Sequence, residues 1–263
     1  MGKRIVIKVG TSTLTYENGK INLRRVEKLC KVISDLNNRG EEVIFVTSGA
    51  IGVGVGKLSL KERPSSTMEK QAVAAVGQCE LMFMYDKLFS EYYSTVAQVL
   101  LTKYSVDSEH KRLNVLNTLN TLLSMDIIPI VNENDTVAID ELSGENIGDN
   151  DMLSAIVAEL VGADLLIILT DRDGLYTASP SRNPDAKKID VVEEINEEIF
   201  NMASGSTSNR GTGGMITKLH AASLVTNAEI DCRVMSGKDP EKLYDVIDKD
   251  TNIGTLFKGK VTK

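Results

Sequence analysis

Short apolar, β-branched runs alternate with longer stretches of helical periodicity along nearly the whole chain, and this alternation limits the folds open to it. Runs at 4–9, 43–47, 95–101, 127–131, 165–170 and 230–235 read as strands. Several are apolar at consecutive positions, as in Ile5-Val6-Ile7 and Leu165-Leu166-Ile167-Ile168-Leu169, which fits strands covered on both faces. Helical patterns lie between them at 23–38, 69–89, 111–124, 151–161 and 215–227. Gly40 stands just past the first of these, where a C-terminal glycine belongs. Asp149, Asn150 and Asp151 offer N-caps for the fourth. The pattern predicts a three-layer α/β/α sandwich around a mostly parallel central sheet.

The 263 residues, 42% hydrophobic and 25% charged, are enough for a full core without disulfides or a structural metal. No internal repeat or interdomain linker is visible, so residues 1–263 are expected to form a single domain. A net charge of −7 argues against non-specific nucleic-acid binding, which draws on basic surface. It leaves anionic ligands open, because a few lysines can reverse the field inside one cleft. Cys30, Cys79 and Cys232 are few, odd in number and far apart, as expected of reduced, buried thiols in a cytoplasmic protein. The first apolar run is too short for a signal peptide, and no run is long enough to span a membrane.

Three stretches break the rhythm. Residues 59–66 are polar and contain Pro64, so they read as a loop; 136–148 read as a hairpin or flap near a site. Residues 203–214 are rich in Gly, Ser, Thr and Asn and read as a flexible loop.

Ligands of open α/β sheets bind at the carboxyl ends of the strands. The unusual residues collect there: Lys8, Gly10, Thr11 and Ser12 after the first strand, and Thr47, Ser48, Gly49 and Ala50 after the second. Asn132, Glu133, Asn134 and Asp135 end the fourth, and Thr170, Asp171, Asp173 and Gly174 the fifth. Each has a plainer reading. Lys8 fits a surface lysine, Asp135, Asp149 and Asn150 fit caps, and Thr170-Asp171 fits a strand-to-turn junction. Gly49, Gly52, Gly54 and Gly56 fit either turn glycines or close backbone approach to phosphate oxygens. Packing alone does not account for polar residues and glycines at four strand ends together.

The segment Gly211-Thr212-Gly213-Gly214-Met215-Ile216-Thr217-Lys218 is more specific: backbone donors run into a helix carrying a lysine one turn in, which suits a phosphate tail. There is no GxxxxGK[ST] run, and Gly52-Val53-Gly54-Val55-Gly56 is not a dinucleotide fingerprint. His110 and His220 lack metal-ligand neighbours and read as structural or exposed. Cys79 reads as core, and Met82, Phe83, Met84 and Tyr85 as helix packing.

Taken together, these motifs resemble the amino acid kinase family, and within it the branch that phosphorylates glutamate. The matching stretches are 8–12, 46–50, 70–78, 131–135, 148–151, 169–176 and 211–218. The pair Asn132-Glu133-Asn134-Asp135 and Gly148-Asp149-Asn150-Asp151 is the most particular to that branch. The resemblance implies ATP as co-substrate, with Mg²⁺ held mainly through the ATP phosphates and no protein metal ligands assigned.

It implies Lys8 and Lys218 as the lysines that neutralise the transferring phosphoryl group, with Asp149 and Asp151 as acidic residues beside it. It places L-glutamate against Ser48, Gly49, Ala50, Asn134, Asp135 and Asn150. It places ATP against Lys8, Gly10, Thr11, Thr170, Asp171, Gly174, Tyr176 and the 211–218 segment. The N-terminal part would then be mainly glutamate-binding and the C-terminal part mainly ATP-binding. A homo-oligomer built on dimers, inhibition by proline and a role in proline biosynthesis are implied on the same ground. Many bacterial members carry a further C-terminal PUA domain, which this chain is expected to lack. The rival readings are a kinase acting on aspartate or N-acetylglutamate, and a non-catalytic sensor of ATP or an amino acid.

Overall fold

The computed structural model describes residues 2–16, 20–138, 150–180, 183–204, 214–249 and 251–260. β1 (Arg4–Val9) leads through α1 (Thr11–Leu14) to α2 (Leu23–Asn38), and β2 (Glu42–Val46) to α3 (Ala50–Lys57) and α4 (Thr67–Ser90). Then come β3 (Thr95–Leu101), α5 (Glu109–Ser124), β4 (Ile127–Glu133), α6 (Asn150–Val161) and β5 (Leu165–Thr170). The later elements are β6 (Leu175–Tyr176), β7 (Lys188–Ile189), β8 (Val191–Val192) and α7 (Glu197–Ser204), followed by α8 (Met215–Asn227), β9 (Asp231–Ser236), α9 (Lys242–Lys249) and β10 (Thr255–Phe257).

The main sheet has the order β3-β4-β2-β1-β5-β9-β10-β8. Its neighbours are parallel except β9 and β10, and β6 and β7 pair separately. The expected α/β/α sandwich with a mostly parallel sheet is therefore present.

Period-two alternation along the strands divides the core. Ile5, Ile7 and Val9 join Val43 and Phe45 against α2, α4 and α9. Val6 joins Ile44, Val46, Leu166 and Ile168 against α5, α6 and α8. Lys8 shares the parity of Val6, so it points into the α6–α8 layer.

Expected strand and helix limits agree with the observed ones to within two residues. Gly40, at φ +93°, ends α2 as expected. Asn150 and Asp151 are not caps: α6 starts at Asn150, so both lie in its first turn, while Asp149 is outside the described residues. Most of the expected flap and of the glycine-rich loop falls at 139–149 and 205–213, also outside them.

The glycine series is not a set of turns. Only Gly49 is left-handed, at φ +101°, where it caps α3; Gly52, Gly54 and Gly56 lie within that helix. Two glycines let α3 and α4 touch backbone to backbone. A Cβ on Gly54 would stand 2.1 Å from the Val73 carbonyl oxygen, and one on Gly77 1.7 Å from that of Ala50. Gly77→Ala is therefore expected to cost about 1–3 kcal/mol or more of stability, the range for overpacking a close contact. Urea unfolding measures it, and an unchanged midpoint would contradict the packing described.

Cys30 and Cys232 are buried, and burial pushes both thiols up, so they stay protonated. Cys79 departs from the expected core position: it lies exposed on the outer side of α4, as does Phe83. The buried side of that helix is taken instead by Val73, Ala74, Gly77, Gln78, Leu81, Tyr85 and Phe89. Among the described residues, no helix is long and apolar enough to cross a membrane.

Candidate active site

The parity of β1 and the starts of two helices bring three charged side chains together. Lys8 Nζ donates to Asp151 Oδ1 at 2.6 Å, and Lys218 Nζ to Asp151 Oδ2 at 2.9 Å. Thr217 Oγ1 also donates to Oδ2, at 2.9 Å. Asp151 is fully buried, and Lys8 and Lys218 are only 5% and 7% exposed. Burial opposes ionisation of Asp151, but the two ammonium groups outweigh it and hold its carboxyl well below the usual carboxylate range. Among the described residues, the two ammonium groups share this one carboxylate, in a chain whose net charge is −7. A desolvated cationic pair of this kind suits an anion.

Gly10 and Thr11 lie beside it. The Lys8 ammonium is 3.5 Å from the point a Cβ on Gly10 would occupy, an ordinary contact distance, so this backbone lies directly beside the charge. Ser48 Oγ donates to the Val9 carbonyl at 3.0 Å, tying the end of β2 to the end of β1. Gly49 lies against Thr11, whose Oγ1 would be 3.3 Å from a Cβ built there. Ala50 is buried as the first residue of α3. Beneath this turn, Thr47 Oγ1 and the Tyr85 hydroxyl share a 2.7 Å hydrogen bond, and Tyr85 stands edge-on to Phe45.

On one side of β1 lie β2 and β4. Asn134 and Asp135 follow β4 in a half-buried turn closed by bonds from the Val137 and Ala138 N–H groups to the Asn134 carbonyl. Asn150 Nδ2 donates to Asn132 Oδ1 at 3.1 Å, and Asn132 Nδ2 to Gln78 Oε1 at 2.7 Å.

On the other side lie β5 and β9. Thr170 ends β5 and donates through Oγ1 to Asp171 at 3.0 Å; its carbonyl accepts from the Gly237 N–H at 2.8 Å. The Tyr176 hydroxyl donates to Asp173. Gly174 packs on Thr255, whose hydroxyl accepts from the Leu175 N–H at 2.8 Å and so anchors β6 to β10. Gly214 is the N-cap of α8, and Met215, Ile216, Thr217 and Lys218 form its first turn.

Lys8, Asp151, Thr217 and Lys218 thus meet directly, and Gly10, Thr11, Ser48, Gly49 and Ala50 are grouped at the adjoining strand ends. Asp149, Gly211, Thr212 and Gly213 lie outside the described residues. Asn132 is among the polar residues expected at the strand ends, but its link to Gln78 was not expected. The signal was there: Gln78 is an amide within the apolar side of α4, four residues after Ala74 and three before Leu81.

A model of the amino acid kinase family matches residues 3–236. Glutamate 5-kinase of Clostridium perfringens (strain 13 / Type A) is 57% identical over 98% of this chain and 96% of its own length. That of Listeria monocytogenes serovar 1/2a is 56% identical over 98% of this chain and 94% of its own. Among solved structures, carbamate kinase from Giardia lamblia bound to AMP-PNP superposes with a TM-score of 0.68. It shares 15% identity, covering 98% of this chain and 99% of that one, a likeness of fold.

Proposed function

This chain belongs to the amino acid kinase family, and from that premise we propose that it transfers the γ-phosphoryl group of ATP to the side-chain carboxylate of L-glutamate, a step of proline biosynthesis. The observation that carries the reading is the pair of buried ammonium groups bound to opposite oxygens of one carboxylate.

The acceptor, with an unperturbed pKa of about 4.3, is already ionised at neutral pH, so no general base is needed. A carboxylate oxygen of glutamate attacks the γ-phosphorus. The bond from that phosphorus to the β–γ bridging oxygen breaks, and its electron pair leaves with ADP. The product is the acyl phosphate, L-glutamyl 5-phosphate. The barrier is the approach of one anion to another, so catalysis is positioning plus charge neutralisation. Lys8 and Lys218 supply the neutralising charge in this reading, and Asp151 orients them. Gly10, Thr11 and Gly49 give backbone access to the phosphoryl oxygens.

Mg²⁺, held mainly through the nucleotide, would supply further positive charge against the phosphates. Both Asp151 oxygens already accept from Lys8, Lys218 and Thr217, so this carboxylate is committed to the lysines, and the metal belongs with the nucleotide. Ser48, Gly49, Ala50, Asn134, Asp135 and Asn150 bind glutamate in this reading. Thr170, Asp171, Gly174, Tyr176 and residues 211–218 bind ATP. A homo-oligomeric, cytoplasmic enzyme inhibited by proline is part of the same proposal.

Purified protein with ATP, Mg²⁺, hydroxylamine and L-glutamate is expected to yield the hydroxamate of the trapped acyl phosphate, and aspartate or N-acetylglutamate is not. No hydroxamate from glutamate would overturn the assignment. Asp135, as the partner of the substrate ammonium, is tested by Asp135→Ala. The KM for glutamate is expected to rise about tenfold or more, with that for ATP within about twofold. Equal rises in both would give Asp135 a structural role.

A further inference from the structure

Three buried amides run from α4, through the end of β4, to the first turn of α6. Gln78 is 7% exposed, Asn132 1% and Asn150 9%. The two ends of an amide differ in what they can bond: the oxygen accepts and the nitrogen donates. Here one partner settles the direction of the whole chain. The Glu133 backbone N–H, which can only donate, points at Asn132 at 2.9 Å, so the Asn132 end it meets is the carbonyl, Oδ1.

The rest follows link by link. Asn150 must bring its NH₂ group to that same oxygen. The other end of Asn132 is Nδ2, a donor, so Gln78 must turn its carbonyl toward it. Two groups are left over: Asn150 Oδ1, an acceptor, and Gln78 Nε2, a donor, both buried and without a hydrogen-bond partner among the described residues. A buried polar group left unpaired is costly, and its persistence calls for an explanation. The chain begins at a helix outside the ring of strand ends and finishes beside Asp151.

We propose that Gln78 is a positioning residue for the amino-acid substrate: the Glu133 N–H sets the direction of the chain, and Gln78, by holding the second end of Asn132, steadies the Asn150 amide that is turned toward glutamate. Without the Gln78 carbonyl, Asn132 Nδ2 loses its acceptor. Asn132 is then anchored on one side only, and the Asn150 amide is held less firmly. The inference rests on the reading that Asn150 faces glutamate.

The experiment compares Gln78→Met, Asn150→Ala and the double variant, with KM for glutamate, KM for ATP, kcat and melting temperature read for each. Gln78→Met keeps the volume and removes both polar ends. The expected result is a rise of about tenfold in the KM for glutamate, the effect of one lost buried hydrogen bond, with the KM for ATP within about twofold. The double variant should show less than the product of the two single effects, because both act through one chain of bonds.

A product of independent effects, or parallel rises in both KM values with a lowered melting temperature, overturns the proposal and leaves Gln78 as a packing residue. An effect of Asn150→Ala without one of Gln78→Met also overturns it, while the glutamate site stands. No effect of Asn150→Ala on the glutamate KM removes the site reading itself. Should Gln78→Met not fold, Gln78→Leu provides the same comparison, because it too removes the carbonyl that accepts from Asn132 and adds no charge. The glutamate KM is expected to rise, and an unchanged value overturns the proposal.

Discussion

Replacing Lys218 with alanine is expected to lower kcat by a hundredfold or more, a loss on the order of 3 kcal/mol of transition-state stabilisation. The expectation comes from where the ammonium sits. It is buried in the first turn of α8 and shares the Asp151 carboxylate with Lys8, so it works in a poorly screened setting where a charge acts strongly on its neighbours. In flight the charge is spread over the transferring group and over the attacking and leaving oxygens, and a positive charge matched to that arrangement lowers kcat when lost, more than it raises either KM. Lys218→Arg is not expected to restore the rate, because a planar guanidinium does not fill the place of a compact ammonium. Steady-state kinetics at saturating ATP and glutamate decide the matter: a near-normal kcat in the alanine variant would remove Lys218 from the chemistry.

Asp151→Asn should act on stability as well as rate. The substitution preserves shape but leaves two buried ammonium groups without their shared counter-charge. Breaking a buried pair from one side typically costs about 3–5 kcal/mol, and urea unfolding of both proteins gives the difference. The pH dependence has a definite sign. The native carboxyl is held below its ordinary value, so its stabilising contribution is complete above about pH 4 and is lost only as pH falls through the lowered value. The gap between wild type and Asp151→Asn is therefore expected to stay constant from about pH 5 to 8 and to narrow only in strong acid. A gap that closes near neutral pH would mean that Asp151 is not ionised there by the lysines.

Much of the architecture was legible because the strands are apolar on both sides and the helices are not. β1, β3, β5, α2 and α8 begin and end at the expected residues. What escaped has physical causes. α3 holds three glycines, each about 1 kcal/mol worse than alanine in a helix interior, and forms because Gly54 and Gly77 allow intimate contact with α4, a tertiary gain that local propensity does not register. β6, β7 and β8 are two residues long and have no period to read. α9 carried a usable signal, in Leu243, Val246 and Ile247 at helical spacing, that went unread.

At the candidate site, Lys8 and Lys218 stood out by the glycines beside them. Asn150 and Asp151 looked like caps because short polar residues before an apolar run usually are. Only the parity of β1, which turns Lys8 toward α6, shows that Asp151 sits inside the helix with its carboxylate inward. Asn132 stood out at its strand end, but its link to Gln78 stayed hidden because an amide in isolation has no direction; their order depends on a backbone N–H that only the folded chain brings to them.

Lys8 and Asp151 are 143 positions apart in the chain, and Asp151 and Lys218 a further 67. Contacts of such long range close late, after local helices have formed. Catalytic competence is then an all-or-none reporter of completed assembly. During refolding, recovery of turnover should lag behind recovery of helical circular dichroism, and a nascent chain released before α8 has docked would hold no partial activity for the cell to misuse.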